Sequence, residues 1–573
     1  MPKTLARFGL LALLFGVACA PVSPTSSPSA QRTRSDGAPT EVKTITLAQA
    51  NAVKAYAPWD FDNTQGGGAW LADVHTQGLV TTDAEGKTIG RLATSLPSLD
   101  DGTVVLLPDG RMRTTWKLRP DVRWHDGAPF TSSDLVMSWR IMVHPELQSS
   151  LSGAGQRIET IDTPDPQTAV ITWKSVFYRA MVIESRDLWP YPQHLLADAF
   201  EGDKDAFRSL PYFTTEYVNV GPFRLVDFGL GEHQVFDRFD DYFLGRPKAD
   251  RMIIRTIPDP NVALANLTAG AVDIVSEKTL PLDLGAQLRD EWAQTGAATL
   301  AIRQDNWRYL WFQFDPQFAR PIEMSQDVRI RRGMLHGLDR EALRQFLFPG
   351  FPNTSGDTFM ETADPRSPIV GQPFARYPYD PERAAQELAS AGWVRGADGR
   401  VVNRNGESIQ IELRGVPFDA KEVALVAENW RGLGLDVKEN IQSVSVQRDA
   451  ELKSKFPGIE TRARSAGDSI FVSFDGRLHS RAENRWQGAN TAHYANPLLD
   501  SLIDKLQGTL DVNEQGLVLR EMGELMATDL PAMPMYFRTT FAAIGKGVKA
   551  LEDYSGTRGP GLLSRSAHLW ERL

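Results

Sequence analysis

Residues 115–143 read TWKLRPDVRWHDGAPFTSSDLVMSWRIMV, and the elements this stretch predicts set the frame for the rest of the chain. Thr115-Trp116-Lys117-Leu118 alternates polar and apolar residues, the pattern of a half-buried strand. His125-Asp126-Gly127 is a turn signal, because Asp bonds its own backbone and Gly tolerates positive φ. Thr131-Ser132-Ser133-Asp134 then suits a helix N-terminus. Thr131 can cap it, and Asp134 sits where the positive end of the helix dipole favours an anion. Leu135, Val136, Trp139, Met142 and Val143 follow at helical spacing as the expected apolar face. The module is therefore strand, turn and capped helix. A catalytic or metal role for His125-Asp126 is the competing reading, but the Gly-containing turn accounts for both residues and the sequence shows no partner cluster.

The same stretch resembles the signature of the family 5 extracellular solute-binding proteins, the peptide/nickel-type binding components of ABC transporters, which carry LR-x-x-V-x-W/F-H-D-G-x-P-h-T-x-x-D-V. Leu118, Arg119, Val122, Trp124, His125, Asp126, Gly127, Pro129, Thr131 and Asp134 fill that pattern, with Leu135 for the usual Val. Further segments resemble the family. They are GLVTTDAEGKTIGRLATS around 78–95, Gly221-Pro222-Phe223-Arg224-Leu225, FDRFDDYF at 236–243, ALANLTAGAVD at 263–273 and DPERAAQELASAGW at 380–393. The last is a nearly ideal helix, with Asp380 at the cap, Pro381 in the first turn and Gly392 past the end. Ser325 to Gly337 reads as another helix, capped by Ser325, whose arginines Arg329 and Arg331 form a solvated face.

The chain has 573 residues and a formal net charge of −10. That length exceeds what one core organises. The acidic balance argues against nucleic acid, which selects a basic face. The one cysteine, Cys19, follows a basic n-region (Lys3, Arg7) and an apolar run from Phe8 to Ala18 too short to span a bilayer. Residues 1–18 read as a lipoprotein signal peptide with acylation at Cys19, and 19–41, rich in Pro and Ser, as a disordered tether. Gly66-Gly67-Gly68 is no phosphate loop, since no Gly-Lys-Ser/Thr follows. There is no HExxH, no paired CxxC and no G-x-S-x-G, and the nine histidines are scattered. The sequence gives no reason to propose an enzyme, a cofactor or a metal centre.

The resemblance implies an α/β, two-lobed periplasmic-binding-protein fold (type II, cluster C-like) with an extra inserted subdomain. Lobe I is expected from 42–80, 215–303 and 530–573, the inserted subdomain from 81–214, and lobe II from 304–529. It implies an extracytoplasmic, membrane-anchored, monomeric substrate-binding component. Such a protein captures a small polar solute, an oligopeptide first, and delivers it to an ABC transporter permease coupled to an ATPase. A ligand-sensing protein that presents its ligand to a receptor and an extracytoplasmic hydrolase are the alternatives. Aromatic walls and fixed charges suit a binding cleft, so the candidate ligand contacts are Trp59, Asn306, Trp307, Tyr309, Arg462, Arg464, Asp468, Asp475, Trp486 and Asn490. Family members carry an amine-binding Asp in a segment like gW-x-x-DYxDP. Here 458–476 reads GIETRARSAGDSIFVSFDG, without the Trp or the DYxDP run. Asp468 or Asp475 is the candidate substitute, and Arg462 and Arg464 can pair a ligand carboxylate bidentately.

Overall fold

The protein is described here from a computed structural model that covers residues 42–59, 71–83, 87–147, 153–296, 298–362, 364–443, 446, 449–550 and 564–573. The signal peptide, Cys19, the tether and Gly66–Gly68 lie outside the described residues.

Ten strands form the central sheet: β1 (Thr44–Gln49), β2 (Phe223–Gly229), β3 (His233–Arg238), β4 (Arg251–Thr256), β5 (Ile274–Val275), β6 (Ala298–Phe312), β7 (Gln410–Gly415), β8 (Asp436–Ile441), β9 (Ile459–Ser465) and β10 (Ala532–Gly545). Their spatial order is β8-β7-β9-β6-β10-β5-β1-β4-β3-β2. β1 runs parallel to β4 and β5, and β7 runs parallel to β8 and β9. The other pairings are antiparallel. The two long middle strands, β6 and β10, belong to both ends of the sheet and join two hydrophobic cores. One core gathers Ile45, Leu47, Phe236 and Met252 with the residues of a second, four-stranded sheet. The other gathers Trp307, Leu310, Leu413, Trp430 and Met533. A smaller cluster around Ala263, Leu288, Trp292 and Phe541 backs the β1 end. The chain is thus two-lobed and α/β: lobe I is built on β1–β5, lobe II on β7–β9.

The four-stranded sheet (104–106, 112–117, 168–173 and 158–165, in spatial order) falls in sequence between β1 and β2. It contains the opening stretch. Met112–Lys117 alternates buried and less buried residues as its sequence requires. Gly127 takes φ +91°, a left-handed value that costs Gly little. The helix Ser132–Val143 carries the capping box, with the Thr131 N–H donating to Asp134 at 2.8 Å. Its buried face differs from the expectation. Asp134, Leu135, Met137, Ser138, Ile141 and Met142 point inward, while Val136, Trp139 and Val143 are only half-buried. Two polar residues fit this face because each is satisfied. Asp134 accepts from the Gln193 N–H at 2.8 Å and the Trp124 indole at 3.3 Å. The Ser138 hydroxyl accepts from the Tyr191 N–H at 2.8 Å and donates to the Asp134 carbonyl at 2.7 Å.

The helix expected over 325–337 is two helices, Glu323–Gln326 and Val328–His336, and the cap of the second is Asp327, whose carboxylate accepts from the Arg329 N–H. Its arginines are not all solvated. Arg331 is buried and donates to the carbonyls of Met324, Ser325 and Asp529. The helix Pro381–Ser390 begins after Asp380, whose side chain accepts from the Arg383 N–H at 2.8 Å.

Candidate functional site

Strand direction locates the site. β6 enters from lobe I and runs into lobe II, and β1, β4 and β5 share its direction. β9, antiparallel to β6, runs back with β7 and β8. The parallel strands of the two lobes therefore aim their carboxyl ends at each other. Ligands of open α/β sheets bind beyond the carboxyl ends of strands. The register between β6 and β10 slips twice here, between Gln304 and Trp307 and between Arg308 and Tyr309, and such bulges bend a strand.

Two buried arginine networks flank this junction, and the sequence reading passed over both. On the lobe I side Arg303 donates to Glu277 through Nε and Nη2, each at 2.8 Å, with both side chains almost fully buried. On the lobe II side Arg308 pairs with Glu422 at 2.5 Å and Asp419 at 3.1 Å. Tyr536 donates to Glu422, and Thr461 donates to Asp419 at 3.0 Å. The cue was an arginine inside each apolar segment of the crossing strand, since a buried guanidinium demands a carboxylate. A strap crosses the same place. The Asn353 amide donates to the Phe537 carbonyl at 2.6 Å and the Phe537 N–H to Thr354 at 3.0 Å. Arg289 of lobe I donates to the Pro349 carbonyl at 3.0 Å and lies over Phe351.

The ten candidate residues separate into groups. Asn306, Trp307 and Tyr309 pair directly with Ser465, Arg464 and Arg462 across β6 and β9. Trp307 and Tyr309 are nonetheless fully buried core residues, with rings 4.8 Å apart and the Trp307 indole donating to the Gly356 carbonyl at 3.2 Å. Burial raises the Tyr309 phenol above its usual range. Arg462 is paired with Glu460 at 2.7 Å and stacked on Trp311. Arg464 differs: its side chain is exposed, and it donates through Nε to Ser473 at 2.9 Å. Asp468 begins the short helix Asp468–Ser473, and burial raises its carboxyl to about 6. Arg366, itself held by Asp364 through Nε at 3.0 Å and Nη2 at 2.8 Å, reaches Asp468 at 3.4 Å.

Trp59 packs on Phe213, with ring centres 4.7 Å apart, beneath the guanidinium of Arg208. Asp475, Trp486 and Asn490 lie in the loop that follows the short helix Asp468–Ser473. Asp475 is paired with Arg477 and caps the turn Gly476–Leu478. The fully buried Asn490 donates to the carbonyls of Asp475 and Tyr494 at 3.1 and 2.7 Å, and Trp486 lies under Lys455. Lys455 precedes β9, so Trp486 lies toward the end of that strand away from Arg464 and Ser465, while Asp475 follows two residues after Ser473, whose hydroxyl accepts from Arg464.

His125 and Asp126 also separate. The His125 ring is buried, accepts from the Asn219 N–H at Nδ1 (3.2 Å) and donates from Nε2 to the Gly221 carbonyl (3.0 Å). Burial lowers its pKa to about 4. Asp126 instead bonds His194 at 2.7 Å. Among the described residues no group of three or more His, Cys, Asp or Glu side chains is placed to hold a metal ion, and no helix is long and apolar enough to cross a membrane. A recess of about 680 Å³ lies between the helices Val328–His336 and Pro381–Ser390, lined by Asp327, Arg329 and Trp393. It opens to solvent beside those two helices, and none of the ten candidate residues lines it.

The sequence matches the family model for bacterial extracellular solute-binding proteins, family 5, over residues 89–466, and the chain belongs to that family. A putative ABC transporter peptide-binding protein of Brucella ovis is 24% identical over 328 residues, 57% of this chain and 56% of the relative. The match thus spans little more than half of that relative's length. The nickel-binding periplasmic protein of Escherichia coli is 22% identical over 464 residues, 78% of this chain and 80% of that one. The crystal structure of NikZ from Campylobacter jejuni in complex with Ni(L-His) superposes with a TM-score of 0.73 at 20% identity, covering 92% of this chain and 99% of that one. The two-lobed fold expected from the sequence is the fold of this family. The Brucella and Escherichia coli relatives are named as binding proteins.

Proposed function

We propose that the protein is the extracytoplasmic substrate-binding component of an ABC importer. In this reading it closes two lobes on a small polar solute and hands that solute to a membrane permease driven by an ATPase. The observation that carries the reading is the pair of opposed strand-end sets joined by β6 and β10, whose register slips between Gln304 and Trp307 and gives the lobes a bendable connection. The contact residues we propose are Trp59, Asn306, Arg464 and Asp468. Trp307, Tyr309 and Arg462 are left to the core, and Asp475, Trp486 and Asn490 to the loop after Ser473, where each is held by partners of its own. An exposed guanidinium and a carboxyl four residues apart suit a ligand with both an acidic and an amino group. An oligopeptide is therefore the ligand we favour, in keeping with the Brucella relative's name. The nickel-binding relative makes metal chelates the class to test beside it. Anchoring through Cys19 remains part of the proposal.

The test is native mass spectrometry of protein purified without refolding, with thermal shift against peptide, metal-chelate and sugar libraries. We expect a peptide to co-purify or to raise Tm. Replacing Arg464 by Ala should weaken that peptide by roughly 10–100-fold, the worth of a charge-assisted bond of about 1.5–3 kcal/mol, with Tm of the free protein unchanged. No response to any library overturns the binding reading. Response to chelates alone overturns the peptide.

A further inference from the structure

The helix Pro497–Gly508 of lobe II touches both lobes. Leu499, Leu502, Ile503 and Leu506 are buried in the lobe II core. The helix also packs against the short turn Tyr178–Met181, which follows the strand 168–173 of the four-stranded sheet. Leu510 continues that contact. It lies between this helix and the helix Val512–Asp529, yet it packs half-buried against the lobe I core, to which the four-stranded sheet belongs. The lobes therefore meet at a further place besides the crossing strands β6 and β10.

The charges at this seam are mixed. Arg157 stacks on Phe177, the residue before the turn, with its guanidinium 4.8 Å from the ring centre. Burial lowers the pKa of Arg157, while Asp504 of the helix raises it and Arg477 lowers it. Asp504 is itself bonded to Arg477 at 2.7 Å. Burial, and after it the charge of Arg179 in the turn, lowers Arg366 to about 10. The seam thus sets an attraction, Arg157 with Asp504, against a like-charge opposition, Arg179 with Arg366. Leu510 adds an apolar contact that favours closure.

The seat of Leu510 is tied to the candidate site. The Gln515 amide donates to the Thr509 and Leu510 carbonyls at 2.9 and 3.4 Å, and its oxygen accepts from Arg366 Nη1 at 3.2 Å. Arg366 Nη2 in turn donates to Asp468 at 3.4 Å.

We propose that this seam is a second clamp: Leu510 on the lobe I core and Asp504 facing Arg157 hold the lobes together before any solute binds, and Gln515 and Arg366 couple that contact to Asp468. The clamp rests on the reading that the lobes close on a solute. By populating the closed form in advance, it raises the affinity of every solute the cleft accepts.

The test is small-angle X-ray scattering of the full chain, stripped of co-purified solute by unfolding and refolding. Leu510→Ala removes most of the apolar seat and should shift the closed-to-open ratio roughly 3–10-fold toward open, read as a larger radius of gyration. Asp504→Lys, at an exposed position, should also enlarge the protein, by placing a cation opposite Arg157. That gain should fade in ~1 M salt, where screening acts over about 3 Å, while the gain from Leu510→Ala should persist. An unchanged radius in both variants overturns the clamp, as does an Asp504→Lys gain that salt does not reduce. Enlargement with loss of the cooperative thermal transition marks unfolding and overturns it too. Scattering is read without solute, so the clamp and the binding reading fail separately: a protein that binds nothing in the libraries can show both gains, and one that binds peptide can show neither.

Discussion

Asp468 stands at the carboxyl end of β9 with its side chain mostly shielded, 14% exposed, and with its nearest cation, Arg366, at 3.4 Å. Burial outweighs that contact and raises the carboxyl from 3.8 to about 6. The folded state therefore holds this proton more tightly than the unfolded chain does. The stability it contributes is complete below about pH 4 and is lost as pH rises through about 6. Asp468→Asn keeps the shape and removes the titration. Its stability relative to the parent should grow by about 1–1.5 kcal/mol between pH 5 and pH 7.5, as urea unfolding at the two pH values would show. An advantage independent of pH would mean that Asp468 is solvated. At this scale the sequence was partly legible. GIETRARSAGDSIF was legible as a segment carrying an acid and arginines, and the structure sets them along β9 and just past its end. Arg462 is paired with Glu460 two residues earlier on the same face of the strand, a local period-2 relation the sequence offered, whereas the contact of exposed Arg464 with Ser473 depends on how the chain turns after β9.

The strand–turn–helix of 115–143 shows what an element reveals alone and what it conceals. Thr131 and Gly127, and Asp134 in its capping bond to the Thr131 N–H, act within a few residues of themselves, and those roles follow from local chemistry. The partners of His125, Asn219 and Gly221, come from about 95 residues away, so the same residue could be read as a reactive histidine. The inward face of the helix was misjudged for a related reason. Asp134 and Ser138 lie on it, and only their distant partners, Gln193 and Tyr191, make them acceptable there. Gly221 ties the element to lobe I. A β-carbon at this position would lie 2.2 Å from the carbonyl carbon of His75 and 2.5 Å from its Cα, and backbone cannot yield as a side chain can. Gly221→Ala should cost about 2–4 kcal/mol and displace the His125 contact. Urea unfolding would measure it, and a cost under about 0.5 kcal/mol would mean that the segment shifts freely.

Across the whole molecule, the lobes depend on a crossing strand that carries a buried charge on each side of its first register slip, between Gln304 and Trp307. The two-lobed α/β class was readable because strand alternation and capped helices recur along the chain. The ionic anchors were not, since Glu277 and Glu422 lie 26 and 114 residues from their arginines. The Arg303–Glu277 pair is the simpler to test. Removing one partner of a buried pair strands a charge, at about 3–5 kcal/mol, whereas replacing both with apolar side chains of similar volume is often neutral or stabilising. Glu277→Ala should therefore lower stability by about that amount, and Arg303→Met with Glu277→Leu should recover most of it. Because the pair belongs wholly to the lobe I side of the register slip, the double variant should also keep the parent's ligand response in the thermal-shift assay. A double variant as unstable as the single would show that Arg303 and Glu277 serve other buried partners more than each other. A stable double variant that no longer binds would move the bendable point of β6 toward lobe I, to the pair itself.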